Sequence, residues 1–349
     1  MAGIPKAALY YAPTSIWSAV ARLAVEEKGY GSDELDFRVV DITKGENYDP
    51  AFLRLNPKAT VPTLIVPYEN SLTEGIESRY KALTETKTIV EFLDKSRSAK
   101  SRTHTTSVAP APSLTPATIA AATICKVIVE DILHSNAANP NTLRYVNARD
   151  VASLRVLAKE TLQTLEQRQL GLKGYIAQGE SGSVQVSEKV KKLWAEKLEA
   201  TSLIYAVLVD AEKDESALDE QARTSRIAFF KTARQAWEVN LAETLKQLSK
   251  EMIGPYTLGE QLSIADLHLA GWLTRVVKLA GGTASDDGAT VVRKVEEHIG
   301  GGFRLARDFL SEQATRENLK EEKKAKVAAF WDAIRERASW RKIYGDGLF

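Results

Sequence analysis

Asn56-Pro57-Lys58-Ala59-Thr60-Val61-Pro62-Thr63-Leu64-Ile65-Val66 is the stretch on which the reading of the N-terminal part turns. A turn-rich segment runs into a proline directly before an apolar, β-branched run. Proline cannot donate to a strand ladder, so Pro62 belongs at a strand entrance, and from this stretch alone its peptide bond reads as an ordinary trans bond. Upstream, residues 6–12 read as a short buried strand, and Ile16, Val20, Leu23 and Ala24 recur at helical spacing until Gly29. Residues 37–41 make a second strand, 63–66 a third and 79–83 a fourth, ahead of a helix carrying Ile89, Phe92 and Leu93. The order β-α-β then β-β-α is that of a compact α/β sandwich.

The chain has 349 residues, 44% hydrophobic and 27% charged, enough for two packed domains and too apolar for disorder. A formal net charge of +1 gives no global positive field to favour nucleic acid or an anionic membrane. The single cysteine, Cys125, allows neither an internal disulfide nor a CxxC pair, and no Asn-x-Ser/Thr acceptor occurs. Met1-Ala2-Gly3-Ile4-Pro5-Lys6 lacks the build of a signal peptide, and no apolar run approaches the ~18 residues of a membrane span. These observations point to a cytoplasmic protein without membrane or nucleic-acid partners.

Between residues 96 and 116 the composition shifts to Ser, Thr, Ala and Pro, with nothing large enough to pack, which marks a linker. The expected division is therefore 1–98, an α/β domain; 99–117, a linker; and 118–349, an all-α domain. Val151, Leu154, Leu157, Leu162 and Leu165 form one helical stripe, and Phe230, Ala233, Trp237, Leu241, Leu245 and Leu248 another. Gly-rich breaks at 171–182, 281–288 and 300–302 read as loops between helices, and the mixed charges of 316–326 read as a solvated helix face. Ser263 and Asp266 have the spacing of a capping box.

Four motifs in order carry a resemblance: Leu9-Tyr10-Tyr11-Ala12-Pro13-Thr14-Ser15, Glu26-Glu27-Lys28-Gly29, Asn56 through Leu64, and Glu85-Thr86-Lys87-Thr88-Ile89. Together they resemble the N-terminal domain of glutathione S-transferases. The resemblance implies a thioredoxin-like domain with a cis Pro62, in which the backbone of Val61 pairs with the cysteinyl part of glutathione. It implies that Glu85 and Thr86 hold the γ-glutamyl end, where unpaired N–H groups and the helix dipole favour a carboxylate. The competing reading of this segment is a capping box at Thr88-Ile89-Val90-Glu91. Lys58 is a candidate for the glycyl carboxylate.

Glutathione's thiol, near pKa 8.5 when free, must be held as thiolate to act as a nucleophile. Ser15, where strand gives way to helix, is the candidate activator by resemblance to serine-type members, and it also suits a helix cap. Ser18 is second choice and Tyr10 or Tyr11 third. No cysteine stands at this place, which argues against thioltransferase chemistry. The electrophile pocket is expected between Tyr11, Ser15, Trp17 and Ser18 and the first helix after the linker, 119–133.

Ser263-Ile264-Ala265-Asp266 resembles the capping motif of the family's C-terminal domain, but residues 118–349 exceed that domain's usual size, with the excess around 134–215 and 281–326. The overall expectation is a glutathione transferase fold: a thioredoxin-like α/β N-terminal domain plus an all-α C-terminal domain with long helical insertions. No GxxxxGK[ST], GxGxxG or HExxH occurs, and His104, His134, His268 and His298 show no ligand spacing, so no metal is expected. The resemblance implies nucleophilic attack of the glutathione thiolate on a small apolar electrophile, in conjugation, dehalogenation or ether cleavage, by a homodimer. The alternative is a non-catalytic protein binding glutathione or apolar ligands, suggested by insertions without a catalytic rationale.

Overall fold

In the computed structural model, residues 6–67, 80–98, 106–311 and 322–349 are described. His104 and residues 312–321 lie outside them. The chain divides into two compact units built from interleaved segments: 1–13, 35–85 and 144–234 form the first; 14–34, 86–143 and 235–349 form the second.

The first unit holds a four-stranded mixed sheet of order β2-β1-β3-β4. β1 (Ala7–Tyr11) runs parallel to β2 (Leu35–Val39) in the register Leu9 to Phe37, and antiparallel to β3 (Thr63–Pro67) with Leu9 opposite Leu64. β4 (Tyr80–Leu83) closes the edge antiparallel to β3. A parallel pair needs a crossover, and α1 (Ile16–Glu27) supplies it. The expected strand order along the chain is thus present, with β2 two residues earlier than the expected 37–41. A short helix, α2 (Pro50–Leu55), precedes the Asn56 turn, with Asp49 as N-cap and proline at its first position.

Three further helices belong to this unit. α6 (Val151–Glu180) and α7 (Glu188–Leu208) form a long hairpin, followed by α8 (Glu220–Arg234). The Gly-rich stretch from 171 is not a loop: α6 runs through Gly171, Gly174 and Gly179 and ends at Glu180. Gly171 is there because a Cβ would sit 2.4 Å from the carbonyl oxygen of Lys44, so close approach of two backbones overrides the helix-breaking tendency. Leu154, Leu157 and Leu165 of the expected stripe are buried with Leu208 and Ala211, whereas Val151 is exposed.

Within the second unit, α1 packs on α10 (Ile264–Leu279), and the two approach closely at Gly271, where a Cβ would lie 2.6 Å from Val20 and 3.0 Å from the carbonyl of Ile16. α3 (Thr86–Ser96) also packs on α1. Because α3 begins at Thr86, Thr88 lies inside it and the Thr88 capping box is not formed. α4 (Ile119–Lys126) continues as a π-helical segment, Val127–Leu133, and after α5 (Pro140–Tyr145) the chain returns to this unit through a second π-helical segment, Gln235–Leu241, leading into α9 (Ala242–Glu251). Trp237, Leu241, Leu245 and Leu248 are fully buried, as the second stripe predicts.

The 106–116 stretch has no regular element, yet it is pinned. Asp94 accepts from the N–H groups of Leu114 and Thr115, at 2.9 and 3.0 Å, and from Lys28 at 2.8 Å; Leu114 is buried. Burial pushes the Asp94 carboxyl up, but its bonds to Lys28, Thr115 and Leu114 outweigh this and hold it below the ordinary carboxylate value. The segment expected to pack nothing is therefore tied down by a buried ion pair. Of the charged 316–326 stretch, Lys324 pairs with Phe309 in a β-bridge and helix begins only at Lys326, so its described part is not a helix face. The helix Gly288–Ile299, with Asp287 as N-cap, follows the 281–287 loop, and the helices Lys326–Arg335 and Ala338–Tyr344 complete the unit.

Gly171→Ala is expected to lower stability by about 1–3 kcal/mol through the clash with Lys44. Gly174→Ala, where nothing lies within 4 Å of the added carbon, is expected to raise it by up to about 1 kcal/mol. Urea denaturation midpoints of the two variants check the contrast.

Candidate active site

The Asn56 turn is held from within. Asn56 is buried, and its side-chain amide donates to the carbonyl and hydroxyl of Thr60 at 2.8 and 2.9 Å and to the hydroxyl of Thr63 at 2.9 Å. Its own carbonyl accepts from the N–H of Lys58 at 3.0 Å. Between them Ala59 adopts a left-handed conformation, φ 55°, and its carbonyl accepts from Asn47 at 2.8 Å. The Val61–Pro62 bond that follows is cis. Asn56 has a local signal in its pairing with Pro57, whereas nothing near Asn47 in the sequence marks its role.

Lys58 and Glu85, expected at opposite ends of a ligand, form a close ion pair with each other on the surface of the first unit. Both are more than half exposed, so the pair contributes little to stability. Glu85 is followed by Thr86, the buried first residue of α3, whose first-turn N–H groups have no partner within the helix. Tyr10 and Tyr11 belong to β1: the Tyr10 hydroxyl accepts from Arg38 at 2.9 Å, and the Tyr11 ring meets Phe37 edge-on.

Ser15 is the N-cap of α1, and its Oγ accepts from the N–H of Ser18 at 3.2 Å. The residue before it is fixed by a buried arginine from α10: Arg275 donates to the carbonyl of Thr14 and, through Nε, to the carbonyl of Phe349, both at 2.9 Å. Ser18 itself is fully buried, while Ser15 and Trp17 keep partial exposure on the first turn. The Arg275 contact spans more than two hundred residues of sequence and leaves no local signal.

Two histidines read as scattered are in contact. His134, just past the π-helical segment, lies with Nε2 2.9 Å from Nδ1 of His268, and its ring stacks on Trp17 at 4.1 Å. His268 is fully buried in the middle of α10; burial, then His134 and Lys87, hold its imidazole neutral well below the ordinary value. Lys87 in turn pairs with Glu130. The same helices enclose a cavity of about 360 Å³ lined by Lys87, Glu91, Thr115, Cys125, Val129 and Ile264 among others. Burial pushes the Cys125 thiol up to about 11, so it carries no thiolate at neutral pH.

The capping box at the start of α10 is formed as the sequence indicated. Asp266 accepts from Ser263, through both N–H and Oγ at 2.7 Å, and from the N–H of Thr257. Burial nevertheless raises its carboxyl to about 6. Among the described residues there is no group of three or more His, Cys, Asp or Glu able to hold a metal, and no helix long and apolar enough to cross a membrane.

Residues 9–101 match the family of glutathione S-transferase N-terminal domains. The chain is 45% identical over 64 residues to the tetrachloro-p-hydroquinone reductive dehalogenase of Sphingobium chlorophenolicum, covering 18% of this chain and 25% of that one. It is 34% identical over 109 residues to the glutathione S-transferase TCHQD of Arabidopsis thaliana, covering 28% and 40%. The chain thus spans well under half the length of either relative. Among solved structures, a trimeric glutathione transferase from Leishmania superposes with a TM-score of 0.46 at 15% identity, over 97% of this chain and 46% of that one.

Because the unfolded chain binds a proton at position 268 below about pH 6.5 and the folded one does not, this group's contribution to stability is present above that pH and lost as pH falls. His268→Asn, which cannot titrate, is expected to flatten the fall in stability between about pH 6.5 and pH 5. Urea titrations at stepped pH read the slope; equal slopes for the two proteins would remove the assignment.

Proposed function

We propose that this protein is a glutathione transferase, an enzyme that uses glutathione as co-substrate and carries it to a small apolar electrophile. The observation that carries the reading is the match of residues 9–101 to the glutathione S-transferase N-terminal domain, with Ser15 capping α1 inside it. In this reading Val61, beside Pro62, pairs with the tripeptide through its backbone, Glu85 and Thr86 receive its γ-glutamyl end, and Lys58 receives the glycyl carboxylate. Lys58 and Glu85 pair with each other, so in this reading each exchanges that partner for a charged end of glutathione.

The Ser15 hydroxyl donates to the sulfur and stabilises the thiolate, the thiol proton passing to water. The sulfur lone pair then attacks the carbon bearing the leaving group. A C–S bond forms, and the bond to the leaving group breaks with its electron pair going to halide or to an alkoxide or phenoxide. Where the leaving group is halide this step is a substitutive dehalogenation, and the support from the relatives is that one of them is named a reductive dehalogenase. Tyr11, Trp17 and Ser18, with the helical run 119–133, are the proposed electrophile-binding residues. The proposal extends to a cytoplasmic homodimer with domains 1–98 and 118–349 joined by 99–117; light scattering tests the dimer.

Calorimetric titration with glutathione, followed by turnover with a panel of alkyl and aryl halides, tests the function. Glutathione binding without turnover would instead select the non-catalytic reading. Ser15→Ala is expected to lower kcat at neutral pH about tenfold or more by raising the bound thiol's pKa, the loss of a hydrogen bond to a charged group. Ser15→Thr restores most of it, and unchanged kcat in Ser15→Ala would refute the assignment.

A further inference from the structure

The insertion that the sequence left without a role lies against the turn proposed to bind glutathione. One buried cluster in the first unit joins Tyr48, Leu53 and Ala59, which flank or belong to the Asn56 turn, to Leu172 of α6 and Trp194 of α7. Trp194 is fully buried, stacks on Tyr175 at 5.7 Å, and donates its indole N–H to the carbonyl of Tyr48 at 2.9 Å. One residue away from that carbonyl, Asn47 donates to the carbonyl of Ala59. On the α6 side, Gly171 lets the helix backbone meet the Lys44 carbonyl, two residues before Glu46-Asn47-Tyr48 begins its 3-10 turn.

Each end of this chain of contacts is therefore fixed. Trp194 holds Tyr48, the neighbouring Asn47 holds Ala59, and Ala59 sits in a left-handed conformation two residues before Val61. A solvated insertion would need none of this: an indole N–H aimed at a loop carbonyl and a glycine at the contact specify where the hairpin sits, beyond burying apolar area.

We propose that the α6–α7 hairpin is a clamp on the glutathione-binding turn, and that Trp194 is a positioning residue acting through Tyr48 and Asn47 on Ala59 and Val61. This rests on reading Val61 as the backbone ligand of glutathione. The clamp sets affinity for the tripeptide and leaves the chemistry at Ser15 alone. Any partner that moves the hairpin then changes glutathione binding at a distance.

Trp194→Phe keeps an aromatic ring and removes the N–H; Leu172→Ala thins the packing beneath the same turn. Both are made in the full chain. In steady-state assays with glutathione and iodomethane, Trp194→Phe is expected to raise KM for glutathione about 3- to 10-fold, the worth of one buried hydrogen bond, and Leu172→Ala to raise it in the same direction through the thinner packing. The value of kcat and the KM for iodomethane are expected to stay the same. A purely structural role would lower the melting temperature and leave KM for glutathione untouched in the folded variants, and that result overturns the proposal. Amide hydrogen exchange gives a reading that needs no ligand: Ala59 and Val61 exchange faster in Trp194→Phe if the clamp exists. Unchanged exchange at both positions also overturns it. Should wild-type protein bind no glutathione while exchange still responds to Trp194, the clamp stands and the glutathione reading of the turn fails.

Discussion

The left-handed backbone of Ala59 is the constraint around which the first unit is arranged. A residue with a Cβ in that conformation costs about 1–2 kcal/mol relative to ordinary backbone. Net hydrogen bonds contribute about 0.5–1.5 kcal/mol each, so the single bond from Asn47 to its carbonyl roughly offsets the cost, and the bonds of Asn56, whose two amide hydrogens are shared among Thr60 and Thr63 while its carbonyl accepts from Lys58, add to it. With the turn held this way, the chain enters β3 at Pro62 in the register that pairs Leu64 with Leu9 and with Leu83. Sheet register and the orientation of the Val61 peptide thus follow from two buried asparagines.

What the sequence made legible is what local periodicity and turn chemistry encode. The strands, α1, α3 and the Ser263–Asp266 box have their signals within a few residues, and each is found where those signals stand. What it hid depends on contacts between distant positions. Trp194 meets Tyr48, His134 meets His268 and Arg275 meets Thr14 across more than a hundred residues of chain, so no window of sequence contains both partners. Gly171 misled for the same reason. Glycine read locally is a helix breaker, and only the Lys44 carbonyl, far away in sequence, shows why a helix tolerates it there.

Burial sorts the reactive groups of the second unit. The chain's one cysteine is protonated at neutral pH, and the His268 imidazole is held neutral by the same cause acting on the opposite charge type. Neither supplies a thiolate or a cation near the first turn of α1. The buried cysteine is therefore no source of a thiolate at neutral pH, which is in keeping with the proposed use of glutathione as the thiol.

In the proposed function Ser15 does two things at once, and hydroxyl stereochemistry decides whether they conflict. As N-cap its oxygen accepts the N–H of Ser18, which occupies one lone pair. Donation to a sulfur anion uses the hydroxyl hydrogen, which capping leaves unspent. The bond to Ser18 removes electron density from the oxygen and so strengthens the hydroxyl as a donor, in the manner of any hydrogen-bonded chain. Arg275 holds the preceding peptide through the Thr14 carbonyl, so the side chain is presented from a fixed backbone. The cap is thus compatible with the proposed donation from Ser15 to an anion at the positive end of the helix.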